Sequence, residues 1–164
     1  MTTHHPAPQQ PGERAQAGLE ASGIGYTLTE HGPVNSLEEA AAARGLLPRD
    51  LVKTLVVRIS EGNYVFVLVG GDRTISWPKF RKHMGLSRIH MPDAQEAYEA
   101  TGYVRGTITP FGATHPWPVI IDQALVGRMV SIGAGEHGKA ATVLTDDMAH
   151  ALNADIADVT ELND

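Results

Sequence analysis

Val52-Lys53-Thr54-Leu55-Val56-Val57-Arg58-Ile59-Ser60-Glu61-Gly62-Asn63-Tyr64-Val65-Phe66-Val67-Leu68-Val69 is the stretch that decides how this chain folds. Two runs rich in β-branched residues, 52–59 and 63–69, flank Ser60-Glu61-Gly62-Asn63, which has the polar, glycine-containing chemistry of a hairpin turn. The second run is apolar on both faces, so it belongs in the middle of a sheet. On the N-terminal side, a helix is expected over 13–22, ended by Gly23, and residues 26–31 alternate like a short strand. Ser36-Leu37-Glu38-Glu39 is a capping box ahead of an alanine-rich helix that stops at Gly45. On the C-terminal side, Ser76 opens a helix closed by Gly85, and Asp93 with Glu96 opens another that ends near Gly102. Strands are expected at 119–122, 129–132 and 142–144, then a helix opened by Thr145 and a last strand at 156–159. No repeat is present. Strands outnumber helices in irregular order, which indicates an α+β domain with a mixed sheet rather than a βαβ series.

A length of 164 residues suits one domain with a substantial core. Residues 1–12, rich in Thr, His, Pro and Gln, read as a disordered tail, and 13–164 as the single domain. No apolar run approaches the length of a membrane helix, and the chain has no cysteine, so a thiolate nucleophile and sulfur-based zinc sites are excluded. No signal-peptide pattern is visible, and a cytoplasmic location is the expectation. The net charge of −6 argues against sustained, sequence-independent gripping of DNA or any nucleic-acid backbone. Lys79, Arg81, Lys82 and Arg88 form a local basic cluster that reads either as a solvated helix face or as a contact for a few phosphates.

Gly102-Tyr103-Val104-Arg105-Gly106-Thr107-Ile108-Thr109-Pro110-Phe111-Gly112 is the main functional candidate. Its glycines let main chain approach a ligand closely and its proline fixes a turn, so backbone N–H groups would do the binding. Taken alone, the segment also reads as a connecting loop. Gly133-Ala134-Gly135-Glu136-His137-Gly138 fits the glycine fingerprint of dinucleotide sites, and with Lys139 approaches a P-loop. Ala140 stands where a magnesium-binding Ser or Thr is needed, Glu136 would repel phosphate, and a strand follows where a helix is required, so a tight hairpin is the better reading. Eight histidines include no metal-binding pattern, so neither metal nor cofactor is expected. No GxSxG elbow is present, and Asp146 and Asp147 favour the dipole of the helix they open. Lys53, at the entry of an apolar strand, reads from spacing alone as a lysine snorkelling from a strand end.

His31 after a short strand, Lys53-Thr54-Leu55, the Gly102-Tyr103 and Gly106-to-Pro110 loop with Gly112, the 118–122 strand and the Gly133-to-Gly138 turn together resemble the YbaK family. These are aminoacyl-tRNA deacylases related to the editing domain inserted in bacterial prolyl-tRNA synthetases. The resemblance covers 26–159 with its parts in the family's order. It implies a mixed, barrel-like sheet with peripheral helices, and a trans-editing hydrolase acting on the ester of mischarged tRNA, with Ala- or Cys-tRNA(Pro)-like substrates as candidates. The family's lysine falls on Lys53 and its GxxxP loop on Gly106-Thr107-Ile108-Thr109-Pro110. Lys53 and Gly106 are the expected catalytic residues: Lys53 holds the terminal phosphate or adenosine, and backbone N–H groups of the Gly106 loop stabilise the oxyanion. His31, Thr54, Thr107, Ile108, Thr109, Pro110, Asp122, Gly133, Gly135, His137 and Gly138 are the expected substrate-binding residues. Asp122 either orients Lys53 or caps a turn. The resemblance also implies that the ribose 2′-hydroxyl of the substrate helps to activate water. Thr107, where relatives often carry glycine, and Glu136 with His137 would reshape the amino-acid pocket. The expected partners are a weakly and transiently bound tRNA acceptor end and a prolyl-tRNA synthetase on which the chain docks; no membrane is among them. The alternative is a catalytically inactive binding module of the same fold, taking a small metabolite or a protein partner.

Overall fold

A computed structural model describes residues 9–32 and 36–163. Its elements run α1 (Pro11–Ser22), β1 (Thr27–Glu30), α2 (Leu37–Ala43), β2 (Val52–Ser60), β3 (Asn63–Gly70), β4 (Arg73–Ile75), α3 (Trp77–Met84), α4 (Ala94–Thr101), β5 (Val119–Asp122), β6 (Met129–Gly133), β7 (Lys139–Leu144), α5 (Thr145–Leu152), β8 (Asp155–Ala157) and β9 (Thr160–Leu162). The 3-10 turns Pro48–Asp50 and Gln123–Leu125 lead into β2 and out of β5.

The hairpin forms as its sequence requires, with Ser60 opposite Asn63 across the turn. β3 is central: it pairs antiparallel with β2 and parallel with β5, and β5 pairs parallel with β8. Its side chains alternate between two cores. Phe66 and Leu68 enter one with Val56, Ile121, Val130 and Val143; Val65, Val67 and Val69 enter the other with Val57, Phe80 and Val159. Each such fully buried side chain contributes about 1.5–3 kcal/mol, which is why this strand has no solvent face. A second sheet, ordered β1-β7-β6, is antiparallel throughout, and β4 pairs with β9 in a third. The architecture is therefore mixed α+β with several sheets, and none of those among the described residues closes into a barrel.

The caps behave as their chemistry dictates. Ser36 Oγ accepts from the Glu39 N–H (3.0 Å) and Asp93 Oδ1 from the Glu96 N–H (2.8 Å), which satisfies otherwise orphaned helix donors. α1 begins at Pro11, inside the expected tail, because proline at a first helical position forgoes no hydrogen bond; residues 1–8 of that tail lie outside the described residues. Of the strand expected at 156–159, residues 156 and 157 lie in β8, and 158 and 159 form the break before β9. The break falls at Val159, whose N–H donates to Asp122 Oδ1 (3.2 Å) and whose carbonyl accepts from Ser76 N–H (2.9 Å), leaving nothing for a strand partner. Among the described residues no helix is long and apolar enough to cross a membrane.

Candidate functional site

β2 is an edge strand, and its outer edge shapes the site. Near its start Leu51 bridges Ser131 of β6, and near its end Arg58 exchanges two backbone hydrogen bonds with His90 (3.0 and 3.2 Å). Between these bridges the edge stays open. Phe66, opposite Val56, donates its N–H to Pro118 rather than to β2, so the Val56 main chain faces outward, and a period of two puts the Thr54 N–H and C=O on the same side. A cleft of about 290 Å³ runs along this edge, walled by Val52, Thr54, Val56, Met91, Ala97 and Ile108, and also bordered by Lys53, Arg105, Gly106 and Gly133. Thr54 Oγ1 is buried there without a hydrogen-bond partner.

A second, polar lobe of about 190 Å³ adjoins the first and shares Val52, Gly106 and Gly133 with it. His31, Arg44, Glu136, His137 and Lys139 line it. His31 is held twice: its Nε2 lies 2.8 Å from Arg44 Nη2 and its Nδ1 3.0 Å from the Gly32 carbonyl, which fits a neutral ring that accepts at Nε2 and donates at Nδ1. Arg44 Nη1 donates to Ser131 Oγ (3.1 Å), and desolvation lowers the guanidinium pKa. Lys139 is engaged by Glu136 (3.3 Å) and Glu30 (3.8 Å).

Gly106 stands where the lobes meet. Its φ of +91° lies in the region that glycine alone adopts without strain. The Thr107 N–H is taken by the Val104 carbonyl (3.0 Å), whereas among the described residues the Gly106 and Ile108 N–H groups pair with no backbone carbonyl. The loop is clamped onto β6: a Cβ on Gly133 would lie 2.8 Å from the Ile108 oxygen, and the Gly135 N–H donates to the Thr107 carbonyl (3.0 Å).

Of the residues expected at the site, Lys53, Thr54, Gly106, Ile108 and Gly133 border the apolar lobe, and His31, His137 and Gly138 line the polar one with Gly106 and Gly133. Lys53 is turned partly away. Odd-numbered β2 side chains point to the opposite face of the sheet, and its ammonium donates to the Arg73 carbonyl (2.6 Å); burial of the ammonium lowers its pKa, opposed by the Asp72 charge. Thr107, Thr109, Pro110 and Gly135 border neither lobe. Thr107 Oγ1 donates to the Val104 carbonyl (2.7 Å) and Thr109 Oγ1 accepts from the Phe111 N–H, so both hydroxyls hold the loop's shape. Gly135 packs on Pro11 and Tyr103. Asp122 is 1% exposed and lies outside both lobes. It caps the following turn through Ala124 N–H (3.2 Å), receives Val159 N–H and faces Arg73 at 3.7 Å, contacts that fit the turn-capping alternative. Its route to Lys53 is indirect, through Arg73. Sequence reasoning missed Arg44, which only its distance to His31 reveals, and the apolar walls at Met91, Pro92 and Ala97. The Gly133-to-Gly138 segment is the connection of an antiparallel hairpin, with no helix behind it for a phosphate.

Residues 31–151 match the family model described as the aminoacyl-tRNA editing domain. The prolyl-tRNA editing protein ProX of Acetoanaerobium sticklandii is 24% identical over 144 residues, covering 84% of this chain and 88% of that protein. The proline–tRNA ligase of Bacillus licheniformis is 31% identical over 102 residues, 62% of this chain, and the match spans only 18% of the ligase. Among solved structures, one described as "a putative trans-editing enzyme for prolyl tRNA synthetase" superposes with a TM-score of 0.85 at 25% identity, covering 94% of this chain and 99% of that one. With the family model covering well over half of its length, the chain belongs to the aminoacyl-tRNA editing domain family.

Proposed function

We propose that the chain is a trans-editing deacylase that hydrolyses the ester joining a wrong amino acid to the terminal adenosine of a tRNA. The observation that carries this reading is Gly106, a backbone donor without a backbone partner at the junction of an apolar and a polar lobe. Water attacks the ester carbonyl carbon and the carbonyl oxygen takes up negative charge. The N–H of Gly106, with that of Ile108, donates to this oxyanion; each well-placed donor contributes about 10²- to 10³-fold. The bond to the ribose oxygen then breaks, that oxygen leaves with a proton, and the amino acid departs as its carboxylate. The neighbouring ribose hydroxyl of the substrate orients the water, so the protein supplies no dedicated base. The open edge of β2, with the main chain of Thr54 and Val56 and the side chains of Lys53 and Thr54, holds the adenosine. Alanine and cysteine, wrongly carried on a proline tRNA, are the candidate amino acids, and Glu136 and His137 adapt the pocket to them. Binding is weak, salt-sensitive and confined to the acceptor end, in the cytoplasm, with a prolyl-tRNA synthetase as a docking partner.

The test is amino-acid release from a panel of mischarged tRNAs by the wild type and by Lys53→Ala. Rapid release from one or two species, lost in the variant, supports the reaction and names the substrate. No release from any species points instead to a binding module of the same fold.

A further inference from the structure

We propose that Arg44 makes the polar lobe an oxyanion site, holding either the phosphate of the terminal nucleotide or the carboxylate of an acidic aminoacyl side chain. Arg44 ends α2 and lines the lobe that Gly106 also borders. A guanidinium carries five N–H donors in a planar fork suited to paired oxygens. Here one goes to His31 Nε2 and one to Ser131 Oγ, both neutral acceptors, and Nε is buried with no partner. Among the described residues no carboxylate lies within ion-pair distance of Arg44. The other cation of the lobe, Lys139, is matched by Glu136 and Glu30. A partly desolvated, uncompensated cation with spare donors, fixed by two neutral contacts, is preorganised for an anion delivered from outside. Glu136 also lines the lobe, and its engagement with Lys139 draws its charge away from that anion.

The identity of the oxyanion as part of a tRNA substrate rests on the deacylase reading; the anion site itself does not. Calorimetric titration of the full chain with adenosine 5′-monophosphate and with adenosine is therefore the first arm, and deacylation of Asp-, Glu- and Ala-charged tRNA the second. Each is run on the wild type, Arg44→Met and Arg44→Lys. A nucleotide preference of about 10-fold over the nucleoside, reduced to less than about twofold in Arg44→Met, supports the phosphate source. Equal binding of the two, with preferential hydrolysis of Asp- or Glu-charged tRNA that Arg44→Met abolishes, supports the side-chain source. If neither ratio changes in a folded Arg44→Met, Arg44 is only a clamp on His31 and Ser131 and the proposal is overturned. Should Arg44→Met not fold, Arg44→Lys decides: it keeps a point charge but loses the fork, and unchanged ratios overturn the proposal. Because the first arm involves no catalysis, a nucleotide preference in a chain that deacylates nothing would refute the enzyme and leave the anion site standing.

Discussion

Replacing Gly133 with alanine tests whether the Gly106 loop is positioned by β6. The Gly133 backbone is not left-handed, so alanine meets no conformational penalty of its own. The added Cβ would lie 2.8 Å from the Ile108 oxygen, 3.1 Å from the Thr107 oxygen and 3.2 Å from the Thr107 carbonyl carbon. All three are main-chain atoms, so no rotamer relieves the contact. Restoring ordinary separation requires the loop to retreat by about 0.6 Å, an overpacking strain of about 1–3 kcal/mol. For a chain of this size that lowers Tm by about 2–4 °C per kcal/mol. A donor displaced by 1 Å costs about 10²-fold, so the same movement should reduce kcat about 10-fold with little change in KM. Single-turnover deacylation alongside thermal melts reads both quantities. Gly18→Ala is the control, since its Cβ would press on the Phe111 and Gly112 backbone at the far end of the same loop, where neither residue borders a lobe; it should lose stability and keep most of kcat. A Gly133→Ala variant with the expected fall in Tm and wild-type kcat would refute the placement of the Gly106 amide in the reaction.

Thr54→Val removes a buried hydroxyl that has no partner in the free protein, so stability should hold or rise by about 1 kcal/mol while kcat/KM falls; equal activity of the two proteins would remove Thr54 from the site. Asp122→Ala leaves the N–H groups of Ala124 and Val159 without their acceptor and Arg73 without its counter-charge, and urea unfolding should report a loss of about 3 kcal/mol, with less than 1 kcal/mol contradicting the structural role. Lys53 has a pKa depressed by burial, so between that value and the ordinary 10.5 the unfolded chain binds more protons and stability rises with pH. The Tm of the wild type relative to Lys53→Met should therefore improve, modestly because the residue is exposed, as pH climbs toward 10.5; a gap that widens against the wild type would reverse the assignment.

What was legible in the chain follows from how local the information is. The hairpin, the Ser36 and Asp93 caps and the glycine stops at Gly23, Gly85 and Gly102 are set by residues a few positions apart, and they fall where expected. β4 is three residues long and exists because the distant β9 pairs with it, Arg73 opposite Leu162 and Ile75 opposite Thr160; no local pattern announces it. The site divides in the same way. The glycines at 106, with its positive φ, and 133, with the loop backbone against it, were visible because only the missing side chain matters. Arg44 was not, because an arginine after an alanine-rich helix resembles any solvated helix end until the fold brings His31 and Ser131 to it.

The motif's own hydroxyls also show why a loop's sequence and its chemistry need separating. Thr107 and Thr109 are each 1% exposed and spend their oxygens inside the loop, so their contribution is to hold the Gly106 N–H still. The charge of the whole chain misleads in a parallel way. Although the net charge is −6, the two lobes are bordered by Lys53, Arg105, Arg44 and Lys139 against Glu136 alone. The basic α3 is partly neutralised, since Lys79 pairs with Asp158 at 3.0 Å and His83 lies 2.5 Å from Asp155. Among the residues that line the lobes, cations thus outnumber acids, the reverse of the chain as a whole. On the proposed deacylase reading, that distribution would draw an anionic acceptor end to one place while the acidic remainder repels the body of a nucleic acid, the balance a factor needs if it is to sample many charged tRNAs and retain few.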